Sequence, residues 1–289
     1  MLKGSIVAII TPMQENGQVD YPALNRLIDW HIENGTDAIV AVGTTGESAT
    51  LSVEEHLSVV EATVKQVNKR IPVIAGTGGN STDEAIFLAQ QAERLGADMS
   101  LSVVPYYNKP TQEGMYQHFK TIAERCALPI ILYNVPGRTV ADMNNDTVLR
   151  LAQIDNIIGL KDATGNLTRA CDLFLRAPED FALYTGEDGV ALAFILCGGD
   201  GVISVTANIA PKLMSQMVHA ALDMNVAQAR ELNNKLQGLH SSLFLEANPI
   251  PAKWAAAKLG LCGDTLRLPM TKLSEQYHQS VLNAIKQAQ

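Results

Sequence analysis

Ile157-Ile158-Gly159-Leu160-Lys161-Asp162-Ala163-Thr164-Gly165 is the stretch on which the reading of this 289-residue chain turns. Four uncharged residues, three of them branched aliphatics, run into a lysine, and a polar, Gly-containing turn follows. A short apolar run bounded by turn signals predicts a strand buried on both faces. Alternation along it predicts Ile157, Gly159 and Lys161 on one side and Ile158 and Leu160 on the other, with Gly159 leaving room beside the lysine stem. An ammonium at the end of a buried strand is costly unless paired or neutralised. A free lysine titrates near ~10.4, whereas Schiff-base or general-base chemistry wants roughly 7 to 8. Burial can supply that difference, about 4 kcal/mol, by penalising the charged form. On this stretch alone two readings stand open: a tuned nucleophile, and a lysine snorkelling at the mouth of a strand.

Outward from this strand, short apolar runs alternate with amphipathic stretches. Residues 4–10, 37–42, 72–75, 99–104, 129–133, 157–161, 181–184 and 201–205 read as strands. Between them residues 21–33 carry Leu24, Leu27, Ile28 and His31 at helical spacing. Ser52 with Glu55 is a capping-box signature, and Ser81 or Thr82 opens the next helix. Further helices are expected over 111–126, 145–152, 166–175, 188–196 and 211–222. Eight β-then-α units predict an α/β fold, a (β/α)8 TIM barrel over residues 1–224. Residues 225–289 have helical periodicity without strand signals and read as a small C-terminal helical appendage.

Composition narrows the class. The chain is 47% hydrophobic with net charge -8 and no basic cluster, which argues against nucleic acid or an anionic membrane as partner. Cys126, Cys171, Cys197 and Cys262 form no CxxC pair, so reduced thiols in a cytoplasmic protein are expected rather than a disulfide frame. The six histidines show no HExxH or paired spacing, so no metal site is expected. Gly76-Thr77-Gly78-Gly79 lacks the GxxxxGK[ST] pattern and reads as a turn. Gly198-Gly199-Asp200-Gly201 precedes the eighth strand and reads likewise.

A barrel of this kind builds its active site at the carboxyl ends of the strands. Thr44 and Thr45 follow the second strand, Tyr106 and Tyr107 the fourth, and Gly186 the seventh; Tyr133 ends the fifth, Lys161 ends the sixth, and Arg138 lies in the loop after Tyr133. An amine ringed by hydroxyls with an arginine at the rim suits condensation with a keto acid to an imine, which then acts as an electron sink. The hydroxyls can move protons, and arginine can hold a carboxylate in bidentate fashion. Taken singly, Tyr133 also reads as a satisfied core tyrosine, the threonines as turn residues and Arg138 as a solvated loop arginine. Their convergence at one end of one barrel favours catalysis.

Gly43-Thr44-Thr45-Gly46-Glu47, Val104-Pro105-Tyr106-Tyr107-Asn108-Lys109-Pro110, Tyr133 through Thr139, Gly159 through Gly165, and Phe244 through Lys253 resemble the motifs of the dihydrodipicolinate synthase family, over essentially the whole chain. The resemblance implies that Lys161 forms the Schiff base with pyruvate and that Thr45 helps hold the pyruvate carboxylate. Tyr133, Thr44 and Tyr107 would form a proton relay, with Tyr107 reaching into a neighbouring subunit. Arg138 would bind the carboxylate of L-aspartate 4-semialdehyde, and Gly186 and Ile203 would line the pyruvate pocket. No metal or organic cofactor is implied, and the assembly would be a homotetramer, a dimer of dimers. Ser48, Ala49, His56, Asn80, Glu84 and Tyr106 match the site at which many members bind the inhibitor L-lysine. Val53 stands where lysine-sensitive members often have histidine, so weaker inhibition is expected. The alternatives are a sister lyase acting on a sialic or 2-keto-3-deoxy sugar acid, and a catalytically silent barrel that binds a keto acid or lysine. Testing both substrate sets separates the sisters, and the presence of Lys161, Tyr133 and Thr44 argues against silence.

Overall fold

The computed structural model describes residues 1–289 and closes eight parallel strands into a barrel in sequence order. They are β1 (Gly4–Ala8), β2 (Ala38–Ala41), β3 (Val73–Gly76), β4 (Met99–Val103), β5 (Ile130–Asn134), β6 (Ile157–Asp162), β7 (Ala182–Thr185) and β8 (Gly201–Ser204). β1 closes the ring on β8, with Ile6 opposite Ile203. The first strand is shorter than its apolar run predicts. Ile9 and Ile10 stay buried, but the Ile10 N–H donates to the Asn208 side chain at 3.0 Å, so the chain leaves the ladder there.

Around the barrel lie α1 (Tyr21–Glu33), α2 (Val53–Val67), α3 (Thr82–Arg94), α4 (Gln112–Arg125), the single turn α5 (Pro136–Thr139), α6 (Asn145–Leu151), α7 (Leu167–Arg176), α8 (Ala191–Leu196) and α9 (Pro211–Leu222). The expected capping box at Ser52 and Glu55 forms, and Ser81 rather than Thr82 caps α3. Two expectations need correction. The stretch 136–139, read as loop, winds into α5 because Pro136 presets the dihedral of a first helical residue. The helix expected over 188–196 is split: Asp188–Val190 forms a 3-10 turn before α8, and Asp188 Oδ2 accepts from the Val205 and Thr206 N–H groups, both at 2.9 Å.

Two apolar clusters sit back to back across the sheet. Ile6, Val40, Ile74, Leu101, Ile131, Tyr184 and Ile203 fill the barrel. Val7, Ile39, Leu132, Leu160 and Leu183 face outward to the helices. The outer cluster continues without a break into Leu236 and Leu239 of α10 (Val226–Ser242), Trp254 of α11 (Ile250–Lys258) and Val281 of α12 (Glu275–Gln287). The C-terminal helices thus share the barrel's core. No helix is long and apolar enough to cross a membrane.

Strand β6 departs from simple alternation. Ile130 pairs with Ile157, but the next residue, Ile131, pairs with Gly159. The extra residue is a bulge, and it reverses the first two positions: Ile157 joins the outer cluster and Ile158 packs toward the interior. From Gly159 onward the predicted alternation holds, and Lys161 points inward between Tyr133 and Tyr184. The role expected for Gly159 is also corrected. A Cβ there would lie 2.6 Å from the Ala182 carbonyl oxygen, so this glycine admits the β7 backbone. Room for the lysine stem comes from Gly186, where a Cβ would lie 2.7 Å from Lys161 Cε.

Candidate active site

A cavity of about 400 Å³ opens at the carboxyl ends of the strands and is lined by Thr44, Thr45, Tyr133, Arg138, Lys161 and Gly186, among others. Six of the eight residues assigned from sequence to catalysis or substrate binding therefore converge on one space. Lys161 is 6% exposed, and its Nζ lies 4.1 Å from the centroid of the Tyr133 ring. That contact follows from register, since the two residues are direct partners across β5 and β6. Tyr184 flanks the lysine on the other side, but its hydroxyl donates to the Leu2 carbonyl at 2.6 Å, toward the opposite face of the barrel. Tyr133 is left as the phenol of the cavity. Outside the barrel wall, Asn134 Nδ2 donates to Asp162 at 3.3 Å and to Asp142 at 2.8 Å, which ties the ends of β5 and β6 together.

The double-threonine loop is held from the far end of the chain. Val42 and Glu47 take positive φ angles of 53° and 60°, which bends the backbone sharply around Thr44 and Thr45. Thr45 Oγ1 accepts from Asn248 Nδ2 at 2.9 Å. Glu47 is 5% exposed and pairs with Lys253 of α11, which is wholly buried and also donates to the Thr11 carbonyl at 2.7 Å. Burial pulls the Lys253 amine below its ordinary range, and the Glu47 carboxylate opposes that pull. The Arg267 N–H donates to the second Glu47 oxygen at 3.2 Å.

Arg138 projects from α5 into the cavity, and its guanidinium donates to the Asn248 carbonyl at 3.1 Å. No carboxylate pairs with it in the chain, so its fork is available to an anion. Glu187, which sequence reasoning did not single out, lines the same cavity, as do Phe244, Ala247 and Asn248. Burial, together with the charge of Asp188, raises the Glu187 carboxyl above its ordinary range.

Two expected residues stand elsewhere. Ile203 is fully buried within the barrel but is not among the residues lining the cavity, so it supports the site from the core. Tyr107 is 89% exposed with φ at 72°, and its side chain takes no part in lining the cavity of its own chain.

A second cavity, about 300 Å³, adjoins the first and is lined by Ser48, Ala49, Val53, His56, Glu84 and Tyr106. Thr44, Val135 and Arg138 line both cavities and form their common wall. His56 bonds the Gly76 carbonyl at 2.7 Å, and burial holds its imidazole below the ordinary histidine range. Burial and the Glu84 charge push the Tyr106 phenol upward. Asn80 sits at the edge rather than in the lining, its Nδ2 donating to the Tyr106 carbonyl at 3.3 Å.

The partners that sequence reasoning missed are joined over long separations. Glu47 and Lys253 both lie in motifs quoted from the sequence, yet nothing in periodicity pairs residues 206 positions apart. The signal was a lysine inside an otherwise apolar helix segment, Ile250 to Ala257, where an unpaired ammonium would be costly.

Comparison with known proteins agrees with this geometry. The model of the dihydrodipicolinate synthetase family matches residues 1–288. A 4-hydroxy-tetrahydrodipicolinate synthase from Laribacter hongkongensis is 64% identical over 288 residues, covering 100% of this chain and 99% of the relative. The crystal structure of a chloride-inhibited dihydrodipicolinate synthase from Acinetobacter baumannii, complexed with pyruvate, superposes with a TM-score of 0.98 at 56% identity, covering 100% of this chain and 99% of the other. A dihydrodipicolinate synthase from Cyanidioschyzon merolae with lysine bound gives a TM-score of 0.96 at 39% identity, covering 99% and 98% of the two chains. With a family match across all but the last residue and identities of this size, the chain belongs to the dihydrodipicolinate synthetase family.

Proposed function

We propose that the protein is a lyase that condenses pyruvate with L-aspartate 4-semialdehyde to 4-hydroxy-tetrahydrodipicolinate, in the biosynthesis of diaminopimelate and lysine. The observation that carries the reading is Lys161, a nearly buried amine at the cavity, beside the Tyr133 ring and against Gly186, with no carboxylate partner. Its Nζ adds to C2 of pyruvate, and loss of water leaves an imine. The imine acidifies the adjacent methyl group, and the enamine formed on proton loss attacks the aldehyde carbon. The amino group of the second substrate then closes on C2 and displaces Lys161. Because the imine is the electron sink, the sequence of steps calls for no metal or organic cofactor.

Thr44 and Tyr133 line the cavity where protons must move, and the partner subunit's Tyr107 completes the relay. Thr45, fixed by Asn248, holds the pyruvate carboxylate, and Arg138 holds that of the aldehyde. The exposure of Tyr107 supports assembly as a dimer of dimers, in which that side chain serves another copy. The second cavity is assigned to L-lysine as inhibitor: Glu84 meets its ammonium and Asn80 its carboxylate, in keeping with the lysine-bound relative. The protein acts in the cytoplasm.

Borohydride reduction with pyruvate, followed by peptide mass mapping, tests the reading. A pyruvate-dependent mass increment on the Lys161 peptide is expected, absent in Lys161→Ala. No increment on folded wild-type protein would overturn it. Turnover of a sialic or 2-keto-3-deoxy sugar acid, with none of aspartate semialdehyde, would move the chain to a sister lyase.

A further inference from the structure

The cavity contains an anionic group that the steps above leave unused. Glu187 follows Gly186 at the end of β7, is half-buried, and lines the same space as Lys161 and Arg138. Its backbone is pinned, since the Glu187 N–H donates to Thr185 Oγ1 at 3.1 Å. No lysine, arginine or histidine pairs with its carboxylate, and the Gly189 backbone only partly offsets the cost of its charge. A half-buried carboxylate beside a second one, Asp188, and without a cation is costly. A fold that keeps such a group at a ligand cavity leaves a place for a ligand cation.

A second acceptor lies in the same cavity. Asn248 is 4% exposed and uses its Nδ2 on Thr45, while its Oδ1 is buried with no partner in the chain. The cavity thus carries one guanidinium with donors to spare beyond the Asn248 carbonyl, on Arg138, and two acceptors without a side-chain donor, on Glu187 and Asn248.

The aldehyde substrate is a zwitterion, with a carboxylate and an ammonium on one carbon. From this complementarity we infer that Glu187 receives the α-ammonium of the aldehyde substrate, until that group gives up a proton for ring closure, while Arg138 receives its carboxylate, so that Glu187 strengthens binding of an α-amino aldehyde over its des-amino analogue. The inference rests on the condensation proposed above. Selectivity follows from the asymmetry of unmet polar groups: an analogue without the ammonium leaves the Glu187 charge buried and unpaired. Pyruvate has no cation and sits on Lys161, so its binding does not involve Glu187.

The bland role for Glu187 is to stand at the start of the 3-10 turn near the Gly189 backbone without meeting a ligand. Glu187→Gln separates the two roles, because the amide keeps the shape and an acceptor oxygen while the charge is gone. With pyruvate saturating, the KM for aspartate 4-semialdehyde and the inhibition constant of succinate semialdehyde, which lacks the amine that closes the ring and so acts as an inhibitor, are measured in wild type, Glu187→Gln and Glu187→Asp. In wild type the KM for the amino aldehyde lies below the inhibition constant of succinate semialdehyde. In Glu187→Gln the KM for the amino aldehyde rises on the order of tenfold or more while the inhibition constant of succinate semialdehyde stays unchanged, so the ratio of the two shrinks by the same factor. The KM for pyruvate and the borohydride-trapped adduct on Lys161 stay unchanged, and Glu187→Asp restores part of the preference.

A succinate semialdehyde inhibition constant equal to the KM for the amino aldehyde in wild type would overturn the inference without any variant. So would a folded Glu187→Gln that keeps full discrimination. In both cases an intact Lys161 adduct leaves the proposed condensation standing, whereas absence of the adduct in wild type removes both.

Discussion

A methyl group at position 186 would stand 2.7 Å from Lys161 Cε and 2.8 Å from Ala163 Cβ, well inside contact distance. Gly186→Ala is therefore expected to push the lysine off its line. A displacement near ~1 Å costs on the order of a hundredfold in rate, so kcat should fall by roughly ten- to a hundredfold. The overpacking itself should cost about 1–3 kcal/mol of stability. Steady-state kinetics and denaturant unfolding measure the two effects; an unchanged kcat would show that the stem has slack. At position 53 the argument concerns reach rather than space. Val53 is 42% exposed at the cavity assigned to lysine, close to the start of α2, and offers no polar atom. Val53→His should strengthen lysine inhibition of the initial rate by roughly threefold to tenfold, about what one added hydrogen bond supplies. Identical inhibition curves for the two proteins would refute this.

At the level of elements, α11 and the double-threonine loop are one unit joined by the Glu47–Lys253 pair. Lys253→Met fills a similar volume but leaves Glu47 buried without its cation, a loss of about 3–5 kcal/mol. Adding Glu47→Gln should recover much of it, because the uncompensated charge is then gone. Urea unfolding of the single and double variants tests this, and additive losses would contradict it. This joint also marks how far sequence reasoning reaches. The eight strands, the α2 capping box and the polar ends of the strands follow from local patterns: apolar runs, cap residues and turns. The bulge at Ile158 does not, because it is set by the fit of β6 against β5 rather than by any residue preference. Nor does the role of the C-terminal helices. Their periodicity announces helix, but Asn248, Lys253 and Arg267 acquire meaning only when the chain returns to the residues after β2. Gly186 is legible as a loop residue, yet its purpose depends on the Lys161 side chain of the neighbouring strand.

For the molecule as a whole, the buried histidines govern the response to mild acid. Burial lowers His31 to about 3 and His118 to about 4, and it lowers His56 and His240 as well. In the unfolded chain each titrates near ~6.5. Between about pH 6.5 and 4 the unfolded state binds protons that the folded state refuses, so stability rises with pH through this window and falls as pH drops. Above it both states are neutral and these groups contribute nothing. The limiting slope is about 1.4 kcal/mol per pH unit for each such histidine. The melting temperature should therefore decline from pH 7 to 4.5, before most carboxylates titrate. His31→Gln, compared with wild type across that range, should show a shallower decline. A melting temperature that stays flat down to pH 4.5 would mean that the histidines accept protons in place.

The common wall of Thr44, Val135 and Arg138 ties the two cavities to a shared fate in any search for altered variants. A substitution there that alters ligand binding in the second cavity also reshapes the space around Lys161, so change in one cavity comes coupled to change in the other. Val53, Leu88 and Glu84 border only the second cavity. On the proposed assignment of the second cavity to lysine, substitutions at those three positions are expected to alter inhibition with less effect on turnover than changes in the common wall.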